Sequence, residues 1–327
     1  MELINALIPV LPIEEEIHDT AETHSSFITA NTQTCSLNEL KQKHIIPVFV
    51  KDNEPLISHS EFIDAAEELF SDIFHGETIL KPKIRVSHPI KGRVPDAKNK
   101  PAHLLLENEK TLYYERMMFV IEIPSINDVI DGNGLSLTIG GVKSYSQDNL
   151  YSRSMSDQHF KFFIGFKNKV CTNLCVWSDG FMGDIKVKNL GQLKAAMRSL
   201  IDGYNAKYHL FHLKQLVNYS ITEQQFAHLI GRSRMYQHLP NDLKSSIPPL
   251  LLGDNQMSAV VKDFYRDASF CKDENGNLNL WKLYNLFTGV NKTSYIDSFL
   301  DRSVNSFEVV EQIARSIKEQ ENCWYLN

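Results

Sequence analysis

The stretch HFKFFIGFKNKVCTNLCVW at residues 159–177 predicts two strands separated by a polar break. The first, at 159–166, is rich in phenylalanine, and the second, at 170–177, ends at Trp177. Aromatic and β-branched residues of this kind favour strands. A further strand is predicted at 183–188. Because the connections are too short to hold a crossover helix, we expect the strands to pair in antiparallel order.

Upstream of this stretch the sequence predicts more strands of the same sheet. Residues 111–123 (TLYYERMMFVIEI) are rich in aromatic residues, and residues 135–139 (LSLTI) alternate at a period of two. The segment between them, DGNG at 131–134, is typical of a turn. Gly140-Gly141 is expected to break the second of these strands, with 142–145 continuing it beyond a bulge.

Helix signals stand on both sides of the predicted sheet. Ser58 and Glu61 match the capping-box pattern ahead of apolar residues at helical spacing, and Gly76 is expected to end that helix. Asn189, with Gln192 three residues on, begins a second helix that is predicted to run to about residue 218. The predicted fold class is therefore α+β, with a central antiparallel sheet packed on a long helix, followed by a helical C-terminal region.

The chain divides into three predicted parts. Residues 1–45 form an acidic N-terminal arm that is expected to be poorly ordered, because it has too little periodic apolar surface to offset the entropy of ordering. The α+β core follows at 46–220, and it begins with a predicted edge strand at 45–50 (IIPVFV), whose proline cannot donate to a ladder. A capping box at Thr222 and Gln225 opens the helical region at 221–327.

Composition limits the class of protein. The 327-residue chain has a net charge of −6 and a pI of about 6.1, unlike the basic surface of many duplex-DNA binders. Its five cysteines show no framework spacing, which is typical of free thiols in a reducing compartment. The sequence contains no secretory pattern and no apolar run of the roughly 20 residues that cross a bilayer. We therefore expect a cytoplasmic protein without a membrane partner.

Sequence patterns that carry catalysis are absent. The chain contains neither a phosphate-binding glycine loop nor a dinucleotide fingerprint, and it lacks the nucleophile elbow and the HExxH pattern. Cys171, Cys175, His209 and His212 are compatible with zinc ligation, but core packing is favoured because cysteine is commonly buried. The segment DENGN at 273–277 indicates a turn, since the glycine and glutamate of a calcium loop are missing from their positions. We expect no enzymatic activity, no cofactor and no metal site.

Two segments have the composition of a nucleic-acid interface. Residues 80–103 carry seven Lys or Arg against one acid, and their regularly spaced prolines predict extended backbone with short strands at most. Residues 142–169 interleave aromatic residues with cations. Such runs are often solvated faces beside a core, and they are also how single-stranded nucleic acid is held. The predicted nucleic-acid-binding residues are Lys81, Lys83, Arg85, Lys91, Arg93, Lys143, Tyr145, Arg153 and Lys161.

Three motifs resemble a family of phage- and plasmid-like bacterial proteins of unknown function. They are Ser144-Tyr145, Val170-Cys171-Thr172-Asn173 and Leu280-Trp281-Lys282-Leu283-Tyr284-Asn285. A narrower branch, found in bacterial mobile elements and phages, is similar nearly end to end and includes Gly92-Arg93-Val94-Pro95. The resemblance implies a mobile-element origin. The predicted order of helix, antiparallel strands and long helix is also similar to the ring-forming (RecT-like) annealing proteins of phage recombination, by topology alone.

These observations lead to one functional expectation and one alternative. We expect a mobile-element protein that binds nucleic acid, with single-stranded DNA as its partner, in phage or plasmid DNA metabolism. The alternative is a non-enzymatic protein–protein module, such as an inhibitor of a host defence system, that binds a host protein through the acidic arm and a folded surface. The annealing analogy further predicts a homo-oligomer assembled through sheet edges such as 45–50, and a monomer is the competing expectation.

Overall fold

The computed structural model of the protein describes residues 26–44, 56–148 and 157–327. Within these ranges the strands are β1 Thr32–Cys35, β2 Lys83–Ser87, β3 Pro89–Arg93, β4 Lys110–Tyr114, β5 Arg116–Ile130, β6 Asn133–Ser144, β7 Gln158–Asn168, β8 Leu174–Cys175, β9 Phe181–Val187, β10 Ser220–Ile221 and β11 Leu278–Asn279. The helices are α1 Leu37–Lys43, α2 His59–Ile73, α3 Leu190–Gly203, α4 Ala206–Gln215, α5 Glu223–His238, α6 Asn241–Lys244, α7 Asp254–Arg266, α8 Leu280–Asn291 and α9 Ile296–Glu319.

A seven-stranded sheet forms the centre of the fold. Its order is β1-β2-β5-β6-β7-β8, with β9 also pairing with β7, and every pairing is antiparallel. Two small antiparallel pairs, β3–β4 and β10–β11, lie outside it. The α+β class and the antiparallel order predicted from the sequence are confirmed.

The hairpin of β5 and β6 corrects one prediction. Its turn is at Asp131 and Gly132, which have φ of 48° and 75°, as the sequence indicated. However, β6 runs without interruption through Gly140-Gly141, and the irregular pairing is in β5, between Ile123 and Asn127. The glycines allow close packing instead of a break, since a Cβ on Gly141 would meet the Phe62 ring of α2 at 2.4 Å.

Three predicted elements have different boundaries. The strand expected at 111–123 is split at Glu115 into β4 and β5, which belong to different sheets. The strand expected at 170–177 is reduced to β8 because a turn with Thr172 at φ 59° precedes it. The long helix expected to reach 218 ends at Gly203, where Tyr204 is extended and Asn205 caps α4 by accepting a hydrogen bond from the Tyr208 N–H at 3.0 Å.

The three helix starts predicted from capping patterns are confirmed. Ser58 accepts a hydrogen bond from the Glu61 N–H at 3.1 Å, Asn189 accepts from Gln192, and Thr222 accepts from Gln225. The turn predicted at 273–277 is also present: the Asp273 N–H donates to the Asn277 carbonyl at 2.8 Å.

Residues 26–44 correct the expectation of a poorly ordered arm. Phe27 and Ile28 are buried, β1 pairs with β2, and a capping box at Ser36 and Glu39 opens α1. The average composition of residues 1–45 concealed these few apolar side chains, which gain their stability from docking on the sheet. Residues 1–25 and the edge strand predicted at 45–50 lie outside the described residues.

Both faces of the central sheet are covered. One face packs Phe119, Ile139 and Phe162 against α2, α3 and the C-terminal helices. On the other face, Met118 and Phe163 pack against a second buried cluster that includes Phe27, Ile28 and the first turns of α9. Side chains on alternate positions of a strand therefore enter two different interiors. In the part of the chain that the structure describes, no helix has the length and apolar character needed to cross a bilayer.

Candidate nucleic-acid interface

A basic strip lies along β2 and the ribbon of β3 and β4. Lys81, Lys83, Lys91, Arg93 and Lys98 are exposed along it. Among the described residues, none of these five side chains lies within 4.0 Å of a carboxylate oxygen. Exposed cations without an acidic partner are the groups that can contact phosphates.

The groove of the β3–β4 ribbon is the best-formed part of the strip. It has a volume of about 620 Å³ and is lined by Lys91, Arg93 and Lys110 together with apolar side chains such as Leu105 and Leu112. Lys110 is paired with Glu107 at 2.6 Å, and Arg93 donates to the Lys100 carbonyl, which holds the connection between the strands. The groove thus offers cations beside an apolar floor.

Gly92 leaves room for a side chain of the neighbouring strand. A Cβ at Gly92 would lie 2.7 Å from Thr111 Oγ1, so the Thr111 side chain would have to turn to admit one. Gly92 pairs with Thr111 in the register of β3 and β4, and the residues on either side of it, Lys91 and Arg93, both line the groove.

Arg85 has a structural role at the edge of the sheet. Its guanidinium donates to Thr32 Oγ1 at 3.0 Å, to Thr34 Oγ1 at 2.7 Å and to the Thr32 carbonyl at 2.8 Å. These bonds join β2 to β1. Most of its donors are thus engaged within the protein, so Arg85 is a weaker candidate for a phosphate contact than the exposed lysines.

Three predicted site residues are inside the protein, and that part of the prediction is wrong. Lys143 is completely buried and pairs with Asp148 at 2.5 Å; burial lowers the pKa of its ammonium to about 8 although Asp148 opposes the shift. Lys161 donates to Asp301 at 2.5 Å and to the Asp297 carbonyl at 2.6 Å. Tyr145 is buried in a stack of rings. Arg153 lies outside the described residues.

A second cleft adjoins the basic groove. It has a volume of about 200 Å³ and lies between β1, the turn from β2 to β3, and the first residue of α9. His88, Ile90, Arg116 and Tyr295 are among its lining residues. Sequence reasoning missed this cleft because its lining comes from four separate segments of the chain, residues 30–32, 87–90, 115–116 and 295–296.

The candidate zinc ligands do not form a metal site. Cys171 Sγ lies 3.8 Å from Asn285 Oδ1, and burial raises the pKa of the Cys171 thiol to about 11. His209 is hydrogen-bonded to the Tyr204 hydroxyl at 2.7 Å, and His212 Nδ1 lies 2.5 Å from Glu311. Over the described ranges no group of three His, Cys, Asp or Glu side chains is arranged to hold a metal ion.

Two of the resemblance motifs meet in the structure. The Asn168 side chain donates to Asn285 Oδ1 at 3.0 Å, and the Asn173 side chain donates to the Asn285 carbonyl at 2.9 Å. Lys292, at the end of α8, donates to the Cys171 carbonyl and to Thr172 Oγ1. These motifs therefore join the sheet to the helical region. They support the fold and include none of the residues of the basic strip.

Comparison with known proteins places the chain in a family. The family model described as "Domain of unknown function, B. Theta Gene description (DUF3871)" matches residues 13–326, so the chain belongs to this family. A search of curated proteins and a search of solved structures each gave no match.

Proposed function

We propose that this member of the DUF3871 family binds single-stranded nucleic acid along β2 and the β3–β4 ribbon. The observation that carries the proposal is the exposed strip of Lys81, Lys83, Lys91, Arg93 and Lys98, none of which forms an ion pair within 4.0 Å among the described residues. Affinity for nucleic acid depends on such local phosphate contacts, so a net charge of −6 for the chain does not oppose it.

The proposed preference for single strands comes from the shape of the strip. It is a narrow ribbon with an apolar floor, and single strands are held by backbone cations together with surfaces on which bases stack. We place this activity in phage or plasmid DNA metabolism. The support for that context is the resemblance of the three sequence motifs to mobile-element proteins.

The test is a salt titration of DNA binding. Fluorescence anisotropy of a labelled single strand and of its duplex is measured at roughly 50 and 200 mM salt. We expect tighter binding of the single strand and an affinity that falls steeply with salt. In the double variant Lys91→Gln, Arg93→Gln, the slope of log K against log salt should decrease by about 1.4, since each lost single-strand phosphate contact removes about 0.7.

The matched control is Arg315→Gln, Lys318→Gln on α9, which removes the same charge at exposed positions. It should bind like the unmodified protein. If the unmodified protein binds neither strand nor duplex at the lower salt, the proposal is wrong. If both double variants weaken binding equally, the effect is one of net charge and the strip is not the binding surface.

A second candidate function rests on α4. Tyr208 and Phe211 are 48% and 55% exposed on this helix, beside Trp177 and His212, with which they form ring contacts. Exposed aromatic side chains are enriched where proteins meet partners. This face favours the alternative of a protein–protein module, and Tyr208→Ala should then reduce capture of a partner without changing the salt dependence of DNA binding.

A further inference from the structure

The cleft next to the basic groove contains an exposed aromatic ring at an unusual position. Tyr295 occupies the N-cap of α9, its side chain makes no capping hydrogen bond, and it is 68% exposed. Helices favour Ser, Thr, Asp or Asn at this position because their side chains accept a hydrogen bond from the first turn. Local helix stability therefore does not account for the tyrosine, which lines a formed cleft.

The cation of this cleft, Arg116, is already paired with carboxylates. Arg116 donates to Asp297 through Nε, and its Nη1 lies 3.2 Å from Glu115. A phosphate would gain little next to a cation held by two carboxylates, so an uncharged group fits better. Arg116 Nη2 has no hydrogen-bond partner in the described part of the chain, and it can donate to a carbonyl oxygen or a ring nitrogen of a ligand.

The other wall of the cleft is polar and fixed. His88 Nε2 lies 3.0 Å from Asn31 Oδ1, which orients the imidazole at the cleft edge. With a volume of about 200 Å³, the cleft is smaller than the roughly 300–1,000 Å³ of pockets for drug-sized ligands. One planar ring with polar edges matches this size and these walls.

The cleft and the basic groove are lined by consecutive residues of β3. Ile90 of β3 lines the cleft, and the next residue, Lys91, lines the groove. The side chains of Ile90 and Lys91 point to opposite faces of the strand, but their Cα atoms are only about 3.8 Å apart, so a single strand that crosses the edge of the ribbon can place a base in the cleft and a neighbouring phosphate on Lys91. We infer that the cleft is a stacking subsite for one unpaired nucleobase of the single strand, with Tyr295 as the stacking ring; this inference rests on the proposed function.

The test compares substitutions at Tyr295. Tyr295→Ala should weaken single-strand binding roughly 5- to 150-fold, the range expected for loss of one base–aromatic stack, while leaving the salt slope unchanged. Tyr295→Phe should keep the affinity within a factor of about two, since stacking needs the ring and not the hydroxyl. Tyr295→Trp should also bind, and its fluorescence should be quenched by the single strand. Tyr208→Ala, on α4, is the control for loss of an exposed tyrosine and should bind normally.

An oligonucleotide with abasic sites separates the subsite from the strip. The unmodified protein should bind the abasic oligonucleotide no more tightly than Tyr295→Ala binds a normal single strand, because the base that would stack on the ring is missing. If Tyr295→Ala binds normal single strands like the unmodified protein while Lys91→Gln, Arg93→Gln binds weakly, the subsite is wrong and the proposed function stands. If the unmodified protein binds no nucleic acid, both are wrong. If Tyr295→Ala loses binding to a protein partner instead, the cleft is a protein-docking site.

Discussion

Three lysines of the central sheet are buried and paired because other elements pack on both faces of their strands. Lys143, Lys161 and Lys167 lie among phenylalanines and valine on β6 and β7, a pattern that equally fits a solvated face. Because both faces of the sheet are covered, each is buried and paired, with Asp148, Asp301 and Glu122 respectively. A buried charge without its partner is costly, so each pair holds two elements together. Lys161 joins β7 to α9, Lys167 joins β7 to β5, and Lys143 joins β6 to the turn that follows it. No sequence pattern within one strand identifies such pairs.

Three imidazoles with lowered pKa predict a loss of stability in mild acid. His44 stacks on His59 with ring centroids 4.8 Å apart, and burial lowers the pKa of His44 to about 4 and that of His59 well below its usual value. Burial likewise lowers the pKa of His209 to about 3. Near pH 6.5 these three imidazoles bind protons in the unfolded chain and not in the folded protein. The free energy of unfolding should therefore be independent of these histidines above about pH 6.5. Below that pH it should fall by up to about 1.4 kcal/mol per pH unit for each histidine.

Urea unfolding at several pH values between about 7 and 5 measures this slope, above the range where carboxyl groups of the unfolded chain titrate. His44→Gln should reduce this slope by up to about 1.4 kcal/mol per pH unit, which corresponds to one bound proton, whatever its effect on stability at pH 7. His75→Gln, at an exposed position after α2, is the control for removing one imidazole from the chain. Equal slopes for His44→Gln and the unmodified protein would contradict the prediction.

Helix starts and strand segments were predictable from the sequence where the determining contacts are local. The caps at Ser58, Asn189 and Thr222 involve residues three apart, so the sequence contains both partners of each bond. The break between α3 and α4 was missed because apolar residues continue at helical spacing across it, and Tyr204 instead turns its hydroxyl to His209. This hydrogen bond joins residues only five apart, whereas a tertiary contact between distant elements leaves no local pattern in the sequence.

The join between β7, β8 and α8 is one such tertiary contact and can be tested at Asn285. This buried side chain accepts a hydrogen bond from the Asn168 side chain and donates one to the Trp281 carbonyl at 2.9 Å. The backbone carbonyl of Asn285 accepts a hydrogen bond from the Asn173 side chain. Asn285→Ala should leave the Asn168 amide buried without that partner, lowering the free energy of unfolding by about 1–3 kcal/mol. Chemical denaturation measures the change. Asn275→Ala, in an exposed turn, should change stability by less than about 0.5 kcal/mol.

At the scale of the whole molecule, the candidate interface combines segments that the chain order separates. Lys91 and Arg93 were predictable from local charge density, and the structure leaves them exposed. Tyr295 was not, because it lies about 200 residues further along the chain and reaches the cleft through the packing of α9 on the sheet. A basic run can be read from composition. A binding surface also depends on which distant elements pack on the two faces of the central sheet and so come to lie beside that run.

The edges of the central sheet determine whether copies of the chain can pair. One described edge, β1, has four residues. The other is formed by the two-residue β8 together with β9, which carries the exposed Asp184 and Lys186, paired at 2.7 Å. Short strands and charged side chains oppose edge-to-edge pairing. We therefore expect a monomer of 37.5 kDa in the absence of nucleic acid. This expectation competes with the assembly of a ring that the annealing analogy predicts.

Light scattering after size exclusion measures the mass, and a change at β9 tests the physical reason. Asp184→Thr, Lys186→Val removes both charges and supplies residues that favour strands, so dimers should appear as concentration rises. Lys262→Val, Asp263→Thr on α7 removes the same two charge types from a helix and should leave the mass unchanged. A ring or dimer of the unmodified protein would show that another surface drives assembly. A monomeric β9 variant would show that charge is not what protects this edge.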